Sequence, residues 1–103
     1  MAEGRYIRVV SLWIHPGQVA AFEGFERDAA RIMARHGGRI DSAIRISGAG
    51  ESPFEVHIVS FPNRVAAESY AADAETAELR TRRDEIIART EILEGREAGP
   101  YWP

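Results

Sequence analysis

The chain has 103 residues, 45% hydrophobic and 28% charged, with a net charge of −3 and no cysteine. A length and composition of this kind give one globular domain (1–103) with a modest core and exclude a disordered chain. The acidic balance argues against a nucleic-acid surface, the missing thiols exclude disulfides, thiolate nucleophiles and sulfur metal sites, and no run approaches a membrane span.

The opening residues, MAEGRY, carry no apolar signal core, so a soluble cytoplasmic protein is expected, with neither nucleic acid nor membrane among its partners. Tyr6 to Ile14 is rich in β-branched and aromatic residues and reads as a strand. One face carries Tyr6, Arg8, Val10, Leu12 and Ile14; the other carries Ile7, Val9, Ser11 and Trp13. Both faces are largely apolar, so both are expected to be covered. Pro16 and Gly17 end this strand and suit a helix entrance.

From Val19 to His36 the residues Phe22, Phe25, Ala29, Ile32, Met33 and His36 recur at steps of three and four, the stripe of a helix packed on a sheet. Glu23, Glu26, Arg27, Asp28, Arg31 and Arg35 are expected to cover its solvent side. Gly37 is placed to stop the helix in a left-handed conformation. Arg39 to Ser47 and Phe54 to Phe61 alternate as two strands of a hairpin joined by the loop SGAGESP. Asn63 caps the next helix, whose inner side is read as Val65, Ala66, Ser69 and Tyr70. Asp73 starts a second helical piece reaching Arg89, with Ala77, Leu79, Ile86 and Ile87 as apolar contacts. In that piece Arg80, Arg82 and Arg83 among acidic neighbours read as a solvated face. Glu91 to Glu94 is a short last strand, followed by a tail with Tyr101 and Trp102, which is expected to dock on a partner chain.

Strand, helix, strand, strand, helix, strand predicts an α+β, ferredoxin-like βαββαβ domain: a four-stranded antiparallel sheet with its helices on one face. If Val10, Leu12, Ile44, Phe54 and Ile58 meet the helices, alternation forces Ile7, Val9, Trp13, Val59 and Phe61 onto the opposite face. A bare apolar face of several hundred Å² would mark an interface, and burying it would contribute several kcal/mol at roughly 25 cal/mol per Å². A homodimer closing face to face is the expectation.

Gly37-Gly38-Arg39 after the first helix, Phe61-Pro62 before the second, Ala66-Ala67 with Tyr70, Leu79 and Arg83 further on, and Glu94-Gly95 at the close resemble the dimeric α+β barrel superfamily. Within it the chain most resembles the family called domain of unknown function 1330, with NIPSNAP and antibiotic-biosynthesis-monooxygenase families also similar in the first strand and in Pro16-Gly17-Gln18. The resemblance covers nearly the whole chain. It departs where that family often has a Ser-Pro-Glu-Tyr-like step and this chain has Asp73-Ala74-Glu75-Thr76, so no phenol stands at Thr76. The resemblance implies a dimer, a pocket between sheet and helices, and relatives that include cofactor-free monooxygenases, isomerases and haem proteins.

Among residues able to carry chemistry, His57 leads, mid-strand with Glu55 on its own face and Arg45 or Asp41 across the hairpin. An imidazole beside an orienting carboxylate can exchange protons near neutral pH. His15, at a strand end, is the second candidate for catalysis; His36 at a helix end reads as a structural cation. The three histidines lack metal-ligand spacing, so neither a metal nor a cofactor is implied. Arg8 interrupts an apolar strand face and needs a partner; with Arg83, Trp13 and Tyr70 it is a candidate for binding substrate, a small hydrophobic or anionic metabolite. Two functions fit these residues, and a third, haem binding, would need a histidine facing an open cleft. One is a cofactor-independent enzyme of monooxygenase or isomerase type acting on a hydrophobic metabolite; the other is a non-catalytic dimeric ligand-binding or regulatory module.

Overall fold

The computed structural model describes residues 4–103. Four strands, β1 (Tyr6–Ile14), β2 (Arg39–Arg45), β3 (Glu55–Phe61) and β4 (Ile87–Gly95), form one sheet in the order β2-β3-β1-β4, every neighbouring pair antiparallel. Helix α1 (Val19–Ala34) connects β1 to β2, and α2 (Arg64–Ala72) with α3 (Ala74–Ile86) connects β3 to β4. This is the expected ferredoxin-like α+β plan. No helix among the described residues is long and apolar enough to cross a membrane.

Local chemistry sets the boundaries. Gly37 takes φ +73° and ends the first helix, as its position predicts. The next glycine, Gly38, lets the backbone lie against the Phe61 ring: a Cβ there would stand 2.7 Å from Cδ1 and 2.9 Å from Cζ. Asn63 accepts the Ala66 N–H at 2.8 Å and caps α2. Asp73 is the break between α2 and α3; its extended backbone closes the first helix while its carboxylate accepts the Glu75 N–H at 2.9 Å. The second helical piece is shorter than the sequence predicts. It stops at Ile86, and Ile87 enters β4 at φ −105°, ψ 121° with no loop between. The His15 N–H donates to Ile86 O at 2.9 Å and fixes this junction. β4 therefore has nine residues, and the short strand expected at Glu91–Glu94 is only part of its second half.

The core has two linked clusters beneath the helices. Leu12, Phe22, Phe25, Ala29, Ile32, Leu79, Ile86 and Ile87 make one; Met33, Val59, Phe61 and Ala67 make the other. The α1 stripe is as expected. On α2 the buried residue is Ala67, whereas Val65 is 68% exposed and Ser69 is exposed; Ala77 of α3 is exposed too.

Strand β3 is turned over relative to the sequence expectation. The register pairs Tyr6 with Phe61, Arg8 with Val59, Val10 with His57 and Leu12 with Glu55, so all eight share the helix-covered face. Phe61 is 1% exposed, and Val56 and Ile58 point away from the helices. Ile44 pairs with Val56 and is 52% exposed. The alternation of β3 is ambiguous because both of its faces contain large apolar residues. What decides it is that Glu55 and His57 find partners under the helices. Phe54 still reaches the core, from just outside the strand, with its ring edge-to-face on Phe22 at 5.6 Å.

The outer face of the sheet carries Ile7, Val9, Ser11, Trp13, Val56, Ile58, Ile44 and Leu93, the last 71% exposed. The molecule is a slab, 46 × 36 × 17 Å between Cα atoms, thick enough for two layers. Beyond β4 the tail keeps Tyr101 88% and Trp102 77% exposed.

Candidate functional site

A cavity of about 350 Å³ lies between the sheet and all three helices. Its floor is buried and mostly apolar: Leu12, Phe25, Ala29, Met33, Val59, Leu79 and Ile87. The exposed members of its wall, Ala71, Arg80 and Ile92, mark the mouth. Its polar groups are few: Glu26, His57, Tyr70, Thr76, Thr90 and the guanidinium groups of Arg8, Arg80 and Arg83.

His57 is 3% exposed and stands on the floor. Its Nε2 lies 2.6 Å from Glu55 Oε2, and Arg45 Nε donates to the other oxygen of Glu55 at 2.8 Å. Across the hairpin the partner is thus Arg45. Asp41 sits on the other face, accepting from Ser60 Oγ at 2.5 Å. Burial alone would raise the Glu55 pKa; the hydrogen bonds from His57 and Arg45 outweigh it and hold the carboxyl below its usual value. An ionised carboxylate can only accept, so His57 donates from Nε2 to Glu55, and this contact turns Nδ1 toward Glu26.

Nδ1 faces Glu26 Oε2 at 3.8 Å, close enough for charge pairing and too far for a hydrogen bond. Glu26 is the functional candidate that sequence reasoning assigned to the solvent side of α1. The structure turns it inward, 18% exposed. Burial raises its pKa against the lowering effect of His57 and Arg83, with Glu55 adding repulsion. The signal was present in the spacing: Glu26 is four residues after Phe22 and three before Ala29, both on the buried stripe. Glu26 and His57 also line a second, shallower groove of about 280 Å³ between α1 and the β2–β3 hairpin, so the pair forms a partition between the two spaces.

Tyr70 is half-buried on the cavity wall, and burial first, then the Glu26 charge, raises its phenol pKa. Thr76 is 8% exposed and its Oγ1 has no hydrogen-bond partner. Arg8 donates from Nε to Tyr6 Oη at 3.1 Å, Arg80 to Ala71 O at 2.7 Å, and Arg83 to Thr90 Oγ1. None of these three has a carboxylate among the described ion pairs. By contrast Arg31, Arg35, Arg39, Arg45, Arg64, Arg82 and Arg89 each reach one within 3.7 Å. The arginine run of α3 is therefore split. Arg82 bonds Asp28 of α1 at 2.9 Å, and Arg80 and Arg83 turn toward the cavity.

Two candidates lie elsewhere. His15 is outside the cavity wall; its Nε2 is 3.1 Å from Asp84 O at the α3–β4 junction, tied there because Pro16 ends β1 beside the C-terminus of α3. Trp13 points to the outer face of the sheet, where its Nε1 donates to Glu51 O at 2.9 Å and Arg89 lies over its ring, 4.4 Å from the centroid. Strand alternation separates it from Leu12 by a whole sheet thickness. His36 binds Asp73 Oδ2 at 2.8 Å, a structural contact from the turn after α1 to the α2–α3 break. The site thus brings together His57, Arg8, Arg83 and Tyr70, and adds Glu26, Glu55, Thr76 and Arg80.

No family model and no curated protein matches this sequence. Solved structures do match. A protein of unknown function from Rhodopseudomonas palustris is 17% identical with a TM-score of 0.77, over 95% of this chain and 85% of that one. A NIPSNAP family protein with unknown function from Agrobacterium tumefaciens is 17% identical with a TM-score of 0.73, over 100% of this chain and 96% of that one. A dabb family protein with a ferredoxin-like fold from Mesorhizobium loti is 16% identical with a TM-score of 0.70, over 94% and 100%. What this chain shares with them is the ferredoxin-like α+β fold.

Proposed function

We propose that this protein is a cofactor-independent enzyme that moves a proton on a small hydrophobic metabolite held between sheet and helices. The observation that carries the reading is the buried His57–Glu26 pair on the floor of an apolar cavity of about 350 Å³. Glu55, anchored by Arg45, fixes the ring with Nδ1 free to accept. A C–H or O–H of the substrate gives its proton to the Nδ1–Glu26 pair, and the electron pair stays on the substrate as an enolate or phenolate. Returning the proton to another atom completes an isomerisation. Tyr70, whose phenol stays protonated, is a donor for the developing oxyanion. Because Glu26 and His57 also face the second groove, the proton can exchange with water there while the substrate fills the first cavity.

The assembly in this reading is a homodimer. The outer face of the sheet has no second layer in a slab 17 Å thick, and Val9, Ile58 and Leu93 form its centre. The partner is a second copy closing over that face.

A specific observation favours the non-catalytic alternative: Glu55 and Glu26 already partner the imidazole, so His57 could serve packing alone. The test is hydrogen–deuterium exchange at the acidic C–H of apolar β-dicarbonyl compounds in D₂O, read by NMR. Proton-transfer catalysis predicts acceleration by the wild type and a loss of about 100-fold or more in His57→Gln. Compounds that bind the cavity yet exchange no faster than in buffer would leave a binding module.

A further inference from the structure

We propose that the ligand of this cavity is an anion with an apolar body, a monocarboxylate or a comparable oxyanion on a ring system, held by Arg8, Arg80 and Arg83. The inference rests on the reading of the cavity as a ligand site and goes beyond it by fixing the charge of the ligand. Three guanidinium groups from two elements, β1 and α3, converge on one cavity whose floor is mostly apolar. Each makes a single hydrogen bond to a neutral group: a phenol, a backbone carbonyl, a threonine hydroxyl. A guanidinium has five N–H donors in a planar fork suited to a carboxylate, so most donors on each residue are unspent.

The rest of the molecule sharpens the contrast. On the helix surfaces and the sheet rim seven arginines meet acidic residues, as Asp28 meets Arg82 one residue away from Arg83. Among the described residues lining the cavity the one carboxylate is Glu26, and it faces His57. Arg8 and Arg83 are half-buried, and the nearest carboxylates, Glu94 opposite Arg8 and Glu26 near Arg83, act on them only at longer range, without a hydrogen bond. Donors left unpaired in such surroundings are costly, and a ligand anion would pair them directly. The same arrangement orients it: the anionic group lies at the mouth against Arg80 and Arg83, and the apolar body reaches past Phe25 and Leu79 toward His57. Thr76 Oγ1, unpartnered on the wall, supplies one neutral hydrogen bond to the ligand.

The experiment measures, by isothermal titration, the binding of 1-naphthoate and of its uncharged counterpart 1-naphthamide. The wild type should bind naphthoate about 10- to 100-fold more tightly, the factor expected for charge-assisted hydrogen bonds over neutral ones. The preference should fall at least several-fold in Arg83→Gln and in Arg80→Gln. It should persist in Arg31→Gln, which removes a guanidinium from the solvent face of α1. Arg80 is exposed, so its substitution leaves the fold intact; added salt is a second measurement, weakening naphthoate and sparing naphthamide in the unaltered protein. Equal binding of the two compounds, or a preference unmoved by the cavity substitutions, overturns the anion assignment while the cavity remains a ligand site. Failure of both compounds to bind removes the cavity reading itself, and the assignment with it.

Discussion

Replacing His57 by alanine tests the polar floor of the cavity through stability, independently of any substrate. The imidazole is 3% exposed and stands between Glu55 at 2.6 Å and Glu26 at 3.8 Å. Removing one partner of a buried charged network costs about 3–5 kcal/mol, because it leaves the others uncompensated. Glu55 keeps Arg45 and Glu26 keeps some access to water, which places the loss at the lower end, about 3 kcal/mol. For a domain of this size that lowers Tm by on the order of 12 °C or more. The loss should depend on pH. The Glu55 pKa is held below its unfolded value, so its contribution is present above the unfolded pKa and disappears as pH falls through the folded one. The gap between wild type and His57→Ala should therefore narrow in acid. Adding Glu26→Gln should recover part of the loss at neutral pH, giving a coupling on the order of 1 kcal/mol in the double-mutant cycle. Urea denaturation of the four proteins at one fixed protein concentration supplies the numbers. A cost under about 1 kcal/mol for His57→Ala, or strict additivity with Glu26→Gln, would refute the network as described.

Glu26→Gln alone should stabilise the protein at neutral pH. Its folded pKa is raised, so the folded state favours the neutral acid; the favourable contribution is complete below the unfolded pKa and is lost as pH rises through the folded one. The gain should vanish in acid, and thermal melts across pH would show it; a variant less stable than wild type at neutral pH contradicts the assignment. Gly38→Ala should cost about 1–3 kcal/mol, since the new methyl overlaps the fully buried Phe61 ring. A melt unchanged from wild type would mean the ring can move aside. Val9→Glu or Leu93→Glu, on the outer face of the sheet, should halve the mass seen by light scattering; an unaltered dimer would place the interface elsewhere, and a wild-type monomer would remove it.

The element order was legible because each boundary has a local chemical cause: Gly37 at a left-handed turn, Asn63 and Asp73 as caps, and a stripe from Phe22 to Met33 with a single face. The junction at Ile86–Ile87 was not legible. The apolar pair suits a helix end and a strand start equally, and pairing with Ile14 across a shift in register decides it. The facing of β3 was hidden for a related reason: Val56, Ile58, Val59 and Phe61 satisfy either face, and the tie is broken by where Glu55 and His57 find counter-charges. At the site, Arg8 was within reach of sequence reasoning because it interrupts an apolar strand face, His57 because Glu55 shares its face, Tyr70 as an aromatic on the inner side of its helix, and Arg83 through the family resemblance. Glu26 was passed over: its spacing to Phe22 and Ala29 places it beside the buried stripe, but a glutamate on a charged helix reads as solvated. Trp13 misled in the opposite direction. Its size suggested a pocket wall, but one step of alternation from Leu12 puts it on the far side of the sheet.

The most direct measurement of the central claim is an amide NMR titration of the ¹⁵N-labelled protein with 1-naphthoate, which locates the ligand. Binding in the cavity predicts shifts centred on Phe25, Ala29, Thr76 and Leu79, with the His57 ring resonances moving at the same ligand concentration. Shifts centred on Val9, Ile58 and Leu93 instead, with the His57 ring unmoved, would place the ligand on the outer face of the sheet and contradict the account.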